Sequence, residues 1–155
     1  MAETPNPTQE LMTLQVDTEW VEKTRCRNFV RDFPALVVDE AEDFGGTNQG
    51  PNPMELILAG LNSCETIVMT LTAQEMGLTF QGVDVHSEGD LDPRGLSGEP
   101  GIKPYFQTVR QTVSLRADWS DDQIATVREA TESHCPAFNL LRDAGVVMKV
   151  EWKRL

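Results

Sequence analysis

The stretch Pro51–Glu65, PNPMELILAGLNSCE, decides the fold. It closes a loop rich in glycine and proline, EAEDFGGTNQGPNP, and then turns apolar. Asn52 is suited to cap a helix, and Pro53 to its first position, where no amide hydrogen is missed. The pattern predicts a helix from about Pro53 to Glu75, stopping near Gly77. Ile57, Leu61, Cys64, Val68 and Leu71 recur at helical spacing, which puts Cys64 on an apolar stripe. Two readings of Cys64 stay open. A free cysteine packs like a small hydrophobe and can simply fill a core. A reactive one needs a stabilised thiolate, and Cys64 lies roughly 15 Å into the helix, beyond reach of the dipole at its start. Its cation would have to come from elsewhere in the sequence.

Working outward, LQVDTEW alternates, with Leu14, Val16, Thr18 and Trp20 on one face of a half-buried strand. RCRNFVRD and PALVVDE read as two more strands of an antiparallel meander. Arg25, Arg27, Phe29 and Arg31 share one face of the middle strand, and Cys26 lies on the other as a structural residue. Those arginines are either candidate cations or the charges of a solvated edge strand. Residues 1–10 read as a disordered tail and 11–155 as a single domain.

Beyond the helix, TFQGVDVHSEGD and YFQTVRQTVSLRADW form two strands around a long turn. Val83 and Val85 face inward on the first, and Tyr105, Val109, Val113 and Leu115 on the second. SDDQIATVREATESHC is a helix capped by Ser120, PAFNLLRDAG a short helix ending at Gly145, and VVMKVEW a last strand. The order β-β-β-α-β-β-α-α-β predicts an α+β fold with antiparallel sheets.

The chain of 155 residues carries a net charge of -12, from 25 acidic and 13 basic side chains. That balance argues against nucleic acid or an anionic membrane as the main partner. No apolar run reads as long enough to span a membrane, and the N-terminus has no basic region followed by an apolar core. Cys26, Cys64 and Cys135 form no CxxC and no Cys/His zinc spacing, so no metal or organic cofactor is expected. Free thiols fit a reducing cytoplasm.

Cys135 directly precedes Pro136, so it would cap the short helix, a position that lowers thiol pKa. His134 diverges from it as a chain neighbour, and His86 reads as a surface residue, which leaves a Cys-His hydrolase without support.

Two segments carry a resemblance. RNFVRDFPALVVDEAEDFGGTNQGPNPMELILAGLNSCE resembles the central signature of the OsmC-like superfamily, which includes the organic hydroperoxide resistance proteins, and SHCPAFNLL is similar to its second cysteine motif. The resemblance covers about Leu14 to Leu155. It implies antiparallel sheets around a long central helix bearing Cys64, in an intertwined homodimer with active sites at the interface. It further implies a thiol-dependent peroxidase: Cys64 attacks an organic hydroperoxide, Cys135 resolves the sulfenate, and a dithiol reductant reopens the disulfide. The apolar helix around Cys64 favours a greasy peroxide.

Two positions depart from the family pattern. Classical members place Glu directly after the helix-start proline, where this chain has Met54 and then Glu55. Glu55 precedes Cys64 by two and a half turns and points to the other side of the helix, so it acts only through a partner chain or an arginine, or serves as a favourable charge in the first turn. The activating arginine varies among branches. Arg27, two residues before Phe29, is the choice and Arg25 the reserve. The alternative reading is a non-catalytic dimer, a redox sensor or a binder of apolar small molecules.

Overall fold

The protein is described by a computed structural model covering residues 11–155. The tail expected at residues 1–10 lies outside them. The elements are β1 (Asp17–Glu22), β2 (Arg25–Phe29), β3 (Leu36–Val38), a 3-10 turn (Glu42–Phe44), α1 (Pro53–Glu75), β4 (Gly82–Asp90), α2 (Pro93–Leu96), β5 (Thr108–Arg116), α3 (Asp121–His134), α4 (Pro136–Asp143) and β6 (Val147–Arg154). The predicted order holds, with a 3-10 turn and the four-residue α2 added inside loops. The chain divides into two compact units, one ending at Pro53 and the other running Met54–Leu155.

In the N-terminal unit, β1, β2 and β3 form the expected antiparallel meander. β1 starts at Asp17, later than the pattern implied, and all six of its residues are exposed. Among the described residues it is an edge strand bonded only to β2, so alternation here did not mean half-burial. The loop after β3 is tied down by Asp39, which is buried. Burial raises its carboxyl, but the hydroxyls of Thr47 and Thr24 and the amides of Gln49 and Glu40 donate to it and hold it well below the usual carboxylate range. The amide of Asp39 also donates to the carbonyl of Pro51, just before α1.

In the C-terminal unit, β4 and β5 pair antiparallel without a slip, from Gly82 opposite Arg116 to Asp90 opposite Thr108. β6 pairs with β5 in parallel, Thr108 opposite Val147. The expectation of purely antiparallel sheets is therefore corrected for this sheet. The crossover through α3 and α4 brings the chain back to the end where β5 begins, which parallel pairing requires.

β5 buries Val109, Gln111, Val113 and Leu115 in strict alternation. α1 covers that face at two apolar clusters. One is built on Leu61, Val109, Phe106, Phe138 and Val146 with Cys135, the other on Met69, Ala73, Leu115, Trp119 and Val127. The buried side of α1 is Leu61, Glu65, Met69, Thr72 and Ala73, rotated from the predicted stripe. Ile57 and Leu71 are 42% and 53% exposed, because the sheet reaches only one flank of the helix. With Ile67 they leave an uncovered apolar strip.

By length and composition α1 is apolar enough to cross a membrane, which corrects the reading that no run is. Its fully buried Leu61, Met69 and Ala73 pack on the sheet as those of a core helix do.

The helix ends follow the predicted chemistry. Gly77, at φ +67°, follows α1. Ser120 accepts the amide hydrogen of Gln123, whose side chain accepts from the Ser120 amide in return, a reciprocal capping box that starts α3. Gly145, at φ +84°, stops the chain after α4.

Candidate active site

α1 carries Cys64 on its side wall, half-buried, while Cys135 is the single residue between α3 and α4 and is 0% exposed. Both are free thiols. Cys64 packs against the cluster built on Leu61, Phe138 and Cys135. The structure thus brings together the two cysteines that the sequence keeps far apart.

Cys135 caps α4 as expected: its sulfur accepts the amide hydrogen of Phe138 at 3.4 Å. The expectation that this position favours a thiolate is overturned. Burial pushes the Cys135 thiol up to about 12; the Phe138 amide pulls the other way, while a hydrogen bond to Cys64 and the charges of Cys64 and Glu65 add to the rise. Losing water outweighs one long hydrogen bond from a helix end.

Glu65 follows Cys64 but is turned into the core, 1% exposed. Neither of its oxygens has a hydrogen-bond partner among the described residues, nor does Oε1 of Gln111 on β5. Beside it, a crevice too tight to admit a water is lined by Met69, Val83, Val85, Val113 and Trp152. Burial pushes its carboxyl up to about 7; the Gln111 side chain opposes this, Glu132 adds to it and Arg128 opposes it. Sequence reasoning missed both Glu65 and Gln111. Their signal was present in period: Leu61, Glu65, Met69 and Thr72 share a helical face, and Gln111 sits between Val109 and Val113.

Met54 packs against the cysteine cluster, whereas Glu55 is exposed in the first turn of α1, on the helix side opposite Cys64. The three arginines belong to the N-terminal unit. Arg25 pairs with Glu22 and reaches the Thr47 hydroxyl. Arg27 is exposed, makes no ion pair among the described residues and lies over the Phe29 ring at 5.1 Å. Arg31 falls beyond β2 at φ +50° and lies over Phe33. Cys26 rests against the carbonyl of Val38 at 3.8 Å. His86 is a surface residue facing Glu88.

Comparison with known proteins bears on this arrangement. Residues 46–151 match the family described as OsmC-like protein. An uncharacterized protein of Haloferax volcanii is 26% identical over 131 residues, 84% of this chain and 88% of that one. Among solved structures, the OsmC-like protein of Mycoplasma pneumoniae superposes with a TM-score of 0.80 at 16% identity, over 93% of this chain and 98% of that one. An organic hydroperoxide resistance protein from Legionella pneumophila gives 0.68 at 16% identity, over 94% and 98%. The organic hydroperoxide resistance protein OhrB of Bacillus subtilis gives 0.63 at 16% identity, over 94% and 100%. At these identities the solved structures speak for the fold, and the matched family covers the end of the loop before α1 and both Cys64 and Cys135: the chain belongs to the OsmC-like protein family.

Proposed function

We propose that this protein is a thiol-dependent peroxidase that reduces organic hydroperoxides in the cytoplasm, working as a homodimer. The observation that carries the reading is the Cys64–Cys135 pair: two free thiols in one apolar cluster, the Cys135 thiol pushed up by burial. The Cys64 thiolate attacks the outer peroxide oxygen, the O–O bond breaks, and the alcohol leaves with a proton. Cys64 becomes a sulfenic acid. The Cys135 sulfur then attacks the Cys64 sulfur, the S–S bond forms, the S–O bond breaks, and the Cys135 proton leaves in water. A dithiol reductant returns the pair to thiols. No metal or organic cofactor takes part.

Structural similarity to the organic hydroperoxide resistance proteins of Legionella pneumophila and Bacillus subtilis supports the reaction class. The apolar neighbours of Cys64 support an alkyl or fatty peroxide over hydrogen peroxide. Arg27 is the cation proposed for the thiolate, because Arg25 is already paired with Glu22. Glu55 is proposed to act on that arginine rather than on Cys64. The uncovered strip of Ile57, Ile67 and Leu71 supports a second copy against α1.

One observation favours a second reading. Met54, not a carboxylate, faces the cysteine cluster, which suits a non-catalytic dimer that senses redox state or holds an apolar molecule. The deciding experiment is mass spectrometry of the reduced protein after one equivalent of cumene hydroperoxide, with hydrogen peroxide in parallel. Rapid loss of two protons, mapped to a Cys64–Cys135 bridge, supports the peroxidase. Thiols that stay reduced overturn it in favour of the second reading.

A further inference from the structure

Gly60 stands apart among the glycines of this chain. Five of the others sit at positive φ, and five have another atom within 3.0 Å of where a side chain would begin. Gly60 has neither reason. It is exposed in the middle of α1. Among the described residues, a methyl group on it would meet no heavy atom within 4 Å beyond its chain neighbours and the backbone of its own helix. Glycine weakens a helix interior relative to alanine, so α1 carries a cost there that the packing of its own chain does not require.

The position of Gly60 relative to Cys64 suggests what the space is for. Gly60 lies four residues before Cys64, so the two share a helix face about 6 Å apart along the axis. A helical side chain tilts toward the N-terminus, so Cys64 leans back toward the turn that Gly60 leaves bare. Ile57, three residues earlier and 42% exposed, closes the far side of that turn, and the half-buried Leu56 lies on its flank. The result is a notch on the helix surface, with a thiol at one end and apolar side chains at the other.

We propose that Gly60 is a specificity-determining residue: the notch it leaves beside Cys64 takes the organic substituent of the hydroperoxide. The inference rests on the peroxidase reading above. The Cys64 sulfur attacks the outer peroxide oxygen along the line of the O–O bond, so the substituent lies beyond that bond, away from the sulfur. A side chain at position 60 would take up that space. Hydrogen peroxide has no substituent to place and makes no use of the notch.

The test compares wild type, Gly60→Ala and Gly60→Leu in rapid-quench mass spectrometry of Cys64 oxidation, with cumene hydroperoxide and with hydrogen peroxide. The quantity read is the ratio of the two rate constants within each protein, which cancels a change in the thiol itself. The methyl of Gly60→Ala enters open space and alanine favours a helix, so this variant should fold with a raised urea midpoint. Its cumene-to-hydrogen-peroxide ratio should nevertheless fall by roughly tenfold, the scale on which one small apolar group shifts selection, and that of Gly60→Leu should fall further. A ratio unchanged in both variants overturns the proposal. So does a parallel fall of both rate constants with weaker self-association in sedimentation, which assigns the space to close approach of a second copy. The two failures are distinguishable. If neither peroxide oxidises Cys64 in wild type, the peroxidase reading fails and takes this inference with it. If Cys64 is oxidised and the ratio ignores position 60, only this inference fails.

Discussion

Cys135, the one residue between α3 and α4, is fully buried in the apolar cluster against which Cys64 packs from the wall of α1. That difference in burial separates the two thiols. Burial pushes the Cys135 thiol up to about 12, and the half-buried Cys64 is the more accessible of the two.

Substitution of either cysteine should separate the two half-reactions. Cys64→Ser should abolish peroxide consumption. Cys135→Ser should still consume one equivalent, then stop with a sulfenic acid on Cys64. Intact mass before and after dimedone trapping reads both outcomes. Equal loss of the first turnover in the two variants would contradict the assignment.

The arginines are separable by their present engagements. Arg27 lies over Phe29 without an ion pair among the described residues, while Arg25 is held by Glu22 and Thr47. If Arg27 steadies the Cys64 thiolate, Arg27→Ala should slow Cys64 oxidation by about tenfold, the effect of about one pKa unit. Arg25→Ala should change it little. Competition kinetics with cumene hydroperoxide distinguishes them, and the reverse ranking would move the role to Arg25.

The exposed strip on α1 predicts assembly. Ile67 is 59% exposed and Leu71 53% on a helix whose other side is core. Burying one such side chain is worth about 1.5–3 kcal/mol, so Ile67→Asp should weaken self-association by at least roughly tenfold. Sedimentation across a dilution series reads this. A wild type that stays monomeric at tens of micromolar would remove the dimer from the proposal.

The parts of the fold legible in the sequence were those with local chemistry. Pro53 starting α1, Gly77 following it and the Ser120 box opening α3 are short-range signals that tertiary context left alone. The faces were harder. Ile57 and Leu71 share helical spacing with Leu61, yet the sheet covers only one flank of α1, so spacing named the stripe and misplaced its centre. The parallel pairing of β6 depends on where a two-helix crossover ends, which no residue in it announces. At the site, Cys135 was correctly read as a helix cap, but its burial was invisible and reverses the sign of the pKa argument. Glu65 was overlooked because a glutamate beside a cysteine reads as solvent-facing, although its spacing with Leu61 and Met69 placed it inward.

Capping should be measurable apart from catalysis. Ser120→Ala removes the acceptor for the Gln123 amide and should cost about 1 kcal/mol of stability. The urea midpoint should drop while thiol reactivity stays that of wild type. A loss well above 2 kcal/mol would mean that α3 does more than pack on the sheet.

Glu65 makes the last prediction, and its sign follows from linkage. It titrates at about 7 in the fold against an ordinary value of 4.5. Between those values the folded chain holds one more proton than the unfolded chain, so this group's contribution to stability falls as pH rises through the window. The loss by pH 8 is on the order of 3 kcal/mol. Glu65→Gln carries no charge at any pH and loses nothing in that range. Any cost of its amide in the core is the same at both ends, so comparing the two proteins at pH 4.5 and at pH 8 cancels it. Urea unfolding should show the variant gaining on wild type by that amount between the two pH values. A difference that does not move with pH would mean that Glu65 is already charged at pH 4.5, and that Gln111 and Arg128 hold it more firmly than their positions suggest.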